Sequence, residues 1–151
     1  MAENNFPQNL YVRPINVQNV PEQMGVAVAA ESFELASCRV KIYKHGTLSG
    51  SETLKMVLFA DQDMTMPFAS SNTINVSDFS SGSYWRGMVN FTFGGQVVVA
   101  GGSYYPALVA GNYTRNGNTF YISYAYDWPI YVNTSIDPQL RGGHMEFYKR
   151  A

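Results

Sequence analysis

The chain has 151 residues, 46% of them apolar and 14% charged, with a net charge of −1 and one cysteine. That is one domain's length with enough apolar residues for a sizeable core. It excludes an intrachain disulfide and gives no electrostatic footprint for nucleic acid. No apolar run approaches the roughly 20 residues that span a membrane. The start, Met1-Ala-Glu-Asn-Asn-Phe6, has neither the basic nor the apolar region of a signal peptide. The expectation is therefore a protein made in the cytoplasm of its host cell, with no membrane partner.

Residues 1–30 mix Asn, Gln and Pro with isolated apolar residues. They read as an extended N-terminal arm, with one short strand around Leu10–Val17 that Pro14 confines to a sheet edge. Its apolar residues Phe6, Leu10, Tyr11, Val12 and Ile15 are the expected contacts to neighbouring subunits. On this reading, deleting residues 2–30 abolishes assembly and leaves the 31–151 domain folded.

From Phe33 the chain alternates apolar and polar residues in short runs, broken about every 8–12 residues by Gly, Asn, Asp or Pro, the rhythm of an antiparallel sandwich. Phe33–Lys44 is the first strand, with Phe33, Leu35, Cys38, Val40 and Ile42 inward and Arg39, Lys41 and Tyr43 outward. His45–Gly50 is a turn. Thr53–Ala60 is apolar on both faces and so belongs in the middle of a sheet. Pro67 marks a loop, Ile74–Val76 is short, and Tyr84–Phe93 is the strongest strand. Gln96–Ala100, Tyr104–Ala110 and Thr119–Tyr126 follow, the last after the hairpin signal Asn116-Gly117, and Met145–Lys149 closes the chain. About nine strands with connections too short for helical crossovers predict an all-β, two-sheet antiparallel β-sandwich of jelly-roll type.

No catalytic set lies over this pattern. Asp61, Asp63, Asp78, Asp127 and Asp137 fall at strand ends, the ordinary place for turn aspartates. Asp61 and Asp63 offer oxygens to Ca²⁺, which needs six to eight ligands, and a solvated turn explains the pair equally. His45 and His144 have no evident partners, Cys38 reads as a small buried hydrophobe, and the glycine pairs match no phosphate or dinucleotide loop. No cofactor is expected and the chain does not read as an enzyme. The aromatic residues are the richest candidates for function. Tyr126, Trp128 and Tyr131, with Trp128 between Asp127 and Pro129 in an expected loop, suit stacking on a sugar face or anchoring an interface.

The stretch Glu31-Ser-Phe-Glu-Leu35 and the run Val40-Lys-Ile-Tyr-Lys-His-Gly-Thr-Leu-Ser-Gly50 resemble the opening of a jelly-roll module found in phage virion and bacterial extracellular proteins. Phe91-Thr-Phe93 and Gly101-Gly-Ser-Tyr-Tyr105 match its later aromatic strand and turn, and Tyr124-Ala-Tyr-Asp-Trp-Pro129 is similar to virion proteins of marine-type phages. The resemblance covers residues 31–131 and brings no catalytic or ligand residues with it. It implies a virion protein, a capsid decoration or head-fibre subunit. The expected partners are a major capsid protein or other virion subunits and further copies of the chain, a trimer being favoured. The alternative is a carbohydrate-binding module or tail-fibre domain recognising a surface glycan.

Overall fold

The computed structural model describes residues 12–80, 82–117, 119–125, 128–132, 135–142 and 145–150. Its strands are β1 (Val12–Pro14), β2 (Glu22–Gln23), β3 (Ala27–Val28), β4 (Phe33–His45), β5 (Thr53–Phe59), β6 (Pro67–Ser70) and β7 (Ile74–Asn75). After a 3₁₀ turn at Val76–Asp78 come β8 (Tyr84–Thr92), β9 (Val97–Val98), β10 (Ser103–Gly111), β11 (Tyr121–Ala125), β12 (Trp128–Val132), β13 (Ser135–Gly142) and β14 (Met145–Lys149).

These strands form two sheets packed face to face as a β-sandwich. The larger is organised on β4, whose one edge pairs with β8 and β9 and whose other edge pairs with β11 and β14. Outside β11 lies β1, and outside β14 lie β12 and then β13. In the smaller sheet β10 is flanked by β5 on one side and by β2 and β3 on the other, while β6 and β7 pair the far edge of β5. Every pairing is antiparallel except β12 with β14, which is parallel.

Strand β4 holds this arrangement because its sequence changes phase once. Phe33 and Leu35 point into the core, and so do Cys38, Val40 and Ile42. Two residues, Ala36 and Ser37, therefore separate the two inward sets where alternation allows one. The register slips there, between Tyr148 and Lys149 on the paired strand, which is the two-against-one count of a β-bulge. Across the sandwich these side chains meet Leu54, Met56 and Leu58 of β5 and Tyr104, Leu108 and Ala110 of β10, all buried. Each such aliphatic side chain removed from water stabilises the fold by about 1.5–3 kcal/mol.

Thr53–Phe59 is central in its sheet, as its two apolar faces predict. Its outer face buries Val57 and Phe59 beside Ala107 in a second, smaller cluster with Met64 and Tyr105 packed on it. The count of nine strands is too low: two-residue β2 and β3 carry no periodic signal, Pro67 of β6 reads as a loop marker, Trp128 and Pro129 of β12 read as a loop, and β13 is interrupted by Pro138. Lys41 does not point into solvent. It is fully buried, its ammonium 5.9 Å from the centre of the Tyr43 ring.

The N-terminal segment is no free arm from Val12 onward. Strand β1 pairs with β11, and β2 and β3 pair with β10. Ile15, Met24, Ala27 and Ala29 are buried in the main core. Pro14 does sit in an edge strand, as expected. The amide of Ile15 donates to the Ile122 carbonyl at 2.8 Å, and the Tyr113 hydroxyl donates to the Ile15 carbonyl at 2.8 Å while accepting from the Ile122 amide at 3.0 Å. A phenolic oxygen thus completes the seam between the chain's start and β11.

Two outcomes follow for stability. Ile15→Ala lowers the urea midpoint at unchanged slope, at a cost of about 2–5 kcal/mol. A chain lacking residues 2–30 shows no cooperative thermal transition, in contrast to the folded domain that an arm reading requires.

Candidate functional site

Strand β4 ends and β10 ends at the same end of the sandwich, so the 46–52 and 112–120 connections lie side by side. Between them is a cleft of about 440 Å³ lined by Thr47, Leu48, Ser49, Glu52, Asn112, Thr114, Arg115, Asn116 and Phe120. The two connections touch at Gly46, whose φ is +92° and where a Cβ would lie 2.3 Å from the Thr119 carbonyl oxygen. Only glycine fits this approach. Asn112, in the left-handed region at φ 49°, donates from its side-chain amide to the Ser51 carbonyl at 3.2 Å and ties one connection to the other.

The floor of the cleft carries charge. Glu52 is buried, and its carboxylate accepts from the Ser49 amide at 3.0 Å and the Gly50 amide at 3.1 Å. Burial pushes its pKa up, but the amides of Ser49, of Glu52 itself and of Gly50 outweigh it and hold the carboxyl below its ordinary value. Lys44, the last inward residue of β4, does not line the cleft; it is buried and donates to the carbonyl oxygens of Gly46, at 2.9 Å, and Gly82. Burial lowers its pKa, and the charge of Glu52 counters part of that. On the opposite wall Arg115 donates to Asn16, and its buried Nε has no hydrogen-bond partner. Phe120 supplies the apolar surface and leans on Tyr113 with ring centres 5.8 Å apart. At this end His45, exposed, stacks on Tyr121 at 5.1 Å. Hydroxyls, amides, a carboxylate, a guanidinium and one aromatic ring around an open cleft form a hydrogen-bonding surface for a small polar ligand.

None of the described residues singled out from sequence as site candidates lines this cleft. Phe6, Leu10, Tyr11 and Tyr126 fall outside the described residues. Val12 is in β1 opposite Ala125. Ile15 is in the core and cannot contact a neighbour. Trp128 is not in a loop: it opens β12, opposite Gly142. Tyr131 lies further along the same strand, opposite Ile136 on one side and Glu146 on the other.

Asp61 is a loop fastener. Its oxygens accept from the Thr65 hydroxyl at 2.6 Å and from the amides of Thr65 and Met66 at 2.8–3.1 Å. The Thr65 hydroxyl is the main cause of its lowered pKa. Asp63 lies exposed within that loop. Among the described residues no three His, Cys, Asp or Glu side chains gather into a group. Cys38 is wholly buried, and burial pushes its thiol pKa well up, so it packs as a hydrophobe.

Several tyrosines of the aromatic set work as internal ties: Tyr104 accepts from the Val99 amide at 2.9 Å, and Tyr124 donates to the Gln23 carbonyl at 3.1 Å. The turn at Asn116-Gly117 forms, closed by the bridge from Asn116 to Phe120. It is not a hairpin joining neighbouring strands, because β10 and β11 belong to opposite sheets.

Because the folded pKa of Glu52 is depressed, its carboxylate stabilises the fold above its ordinary value near 4.5, and that contribution fades as pH falls through the lower folded value. Glu52→Gln is thus less stable than the parent at pH 7, and the gap narrows below about pH 4.5, as urea denaturation across pH will read out. No protein-family model matches this chain, and no curated protein is significantly similar to it.

Proposed function

We propose that this chain is a non-catalytic structural protein of a phage virion, a capsid decoration or head-fibre subunit that stabilises the particle through contacts with other subunits. The observation that carries this reading is how the sandwich uses its polar side chains. Glu52, Asp61 and Tyr104 accept hydrogen bonds from backbone amides of connecting segments, and Asn72 and Tyr113, which themselves lie in connections, accept from strand amides. Connections pinned in this way present a fixed surface, and a fixed surface lowers the ordering cost of each contact in an assembly. The sequence resemblance over residues 31–131 points the same way. Its motif residues Phe33, Leu35, Val40, Ile42, Phe91 and Phe93 are core residues, so the module is a scaffold and its role resides on its exterior.

The cleft between the 46–52 and 112–120 connections favours a second reading, recognition of a surface glycan. Thr47, Ser49, Asn112 and Asn116 suit sugar hydroxyls, and Phe120 suits a sugar face. On this reading the sugar would occupy a cleft that Trp128 and Tyr131 of β12 do not line.

Quantitative mass spectrometry of density-purified particles tests the first reading: tens to hundreds of copies per particle are expected, and absence from particles removes it. For the second, a glycan array probed with the parent chain and with Thr47→Trp is decisive. The exposed Thr47 position tolerates the change with stability altered by about 0.5 kcal/mol or less, while the indole fills the cleft and abolishes any binding seen with the parent.

A further inference from the structure

The edges of the two sheets are treated unequally. Strand β1 is three residues long and ends in Pro14; β2, β3, β7 and β9 have two residues each; β6 begins with Pro67. Strand β13 carries Pro138 and faces a register slip in its pairing with β12. Short length, proline and bulges are the devices that keep a sheet edge from pairing with another chain. Strand β8 has none of them. It is nine residues long, it runs in unbroken register against β4 from Tyr84 to Thr92, and its one charged residue is Arg86. Among the described residues no strand pairs its other edge.

The phase of that free edge is fixed by its ends. The Ser83 carbonyl accepts from the Gly46 amide, on the side toward β4, whereas the Thr92 amide donates outward to the Asn72 side chain at 2.9 Å. The Asn72 amide in turn donates to the Thr92 carbonyl at 3.0 Å, so that end is closed. Alternation along an antiparallel ladder then turns the N–H and C=O groups of Tyr84, Arg86, Met88 and Asn90 outward.

We infer that β8 pairs antiparallel with β8 of a second copy of this chain about a two-fold axis at Gly87, joining the two larger sheets into one. The occupant is a second copy because the strand complements itself in this register. Tyr84 faces Asn90 of the second copy and Arg86 faces Met88, so all four outward residues exchange both of their hydrogen bonds. Shifting the axis to Arg86 would set two guanidiniums directly opposite, which is unfavourable. Shifting it to Met88 would bring Tyr84 against Thr92, whose backbone groups are already used by Asn72. The inference deepens the reading of the chain as an assembly subunit, and it holds or fails apart from the virion setting, which particle copy number tests separately.

The experiment uses the full chain. Sedimentation at equilibrium should give the mass of a dimer. In the inferred register the Cα atoms of residues 86 and 88 from the two copies lie about 5.5 Å apart, while residue 86 or 88 meets its own counterpart only diagonally, at about 7–8 Å. Disulfides need less than about 7 Å. A mixture of Arg86→Cys and Met88→Cys chains, oxidised together, should therefore cross-link into mixed dimers, and neither variant should cross-link alone. Met88→Pro removes only an outward amide, which an edge strand tolerates; it should melt cooperatively and sediment as a monomer. A monomeric or trimeric parent, a folded Met88→Pro chain that remains dimeric, or cross-linking of Met88→Cys by itself overturns the inference.

Discussion

The backbone of β4 must be paired on both sides, because the strand runs through the middle of the larger sheet with neighbours along each edge. An unpaired buried amide or carbonyl there would cost about 1–3 kcal/mol. Four strands from distant parts of the chain supply the partners, two on each edge. The bulge at Ala36–Ser37 keeps the inward side chains in phase on both sides of that junction, so one core serves the whole strand. The smaller sheet is placed by the same core: β5 and β10 present the apolar faces that cover Leu35, Cys38, Val40 and Ile42.

Around this axis the connecting segments are fastened by side chains. Asp61 closes the β5–β6 turn, Glu52 closes the turn before β5, and Asn72 closes the end of β8. The Tyr113 hydroxyl bridges Ile15 and Ile122, and burial raises its pKa, so it stays protonated and able to donate. Fixed connections at one end of the sandwich form the cleft, and an edge left bare along one side forms the inferred contact. No residue of β8 lines the cleft.

Much of the fold is legible in the sequence because long strands carry period-2 alternation. The inward set of β4, including its change of phase, can be read directly from Phe33, Leu35, Cys38, Val40 and Ile42, and the central place of β5 from its two apolar faces. What escapes is local or tertiary. Two-residue strands have no period, and proline in an outer strand looks like proline in a loop. Lys41 is charged and so reads as outward, although its stem is long enough to lie buried beside Tyr43. Ile15 sits among polar residues and prolines, and only the seam with β11 reveals it as core. The cleft escapes for a different reason. Glu52 and Arg115 lie in turns 63 residues apart in sequence, and nothing but the strand order brings those turns to the same end.

The partners of β4 also set when the molecule can be completed. Val40 pairs with Met145, and Val12 with Ala125, each across more than a hundred residues of chain. Loops of that length must close before either contact contributes, which makes sheets of this kind slow to form. During synthesis β4 is among the first strands made, yet one of its edges waits for nearly the last. Until β14 emerges, Leu35 to Val40 have an unpaired side, and nascent chains on one message stand close together with the same edge open. The C-terminal strand thus acts as the closing step that withdraws β4 from aggregation.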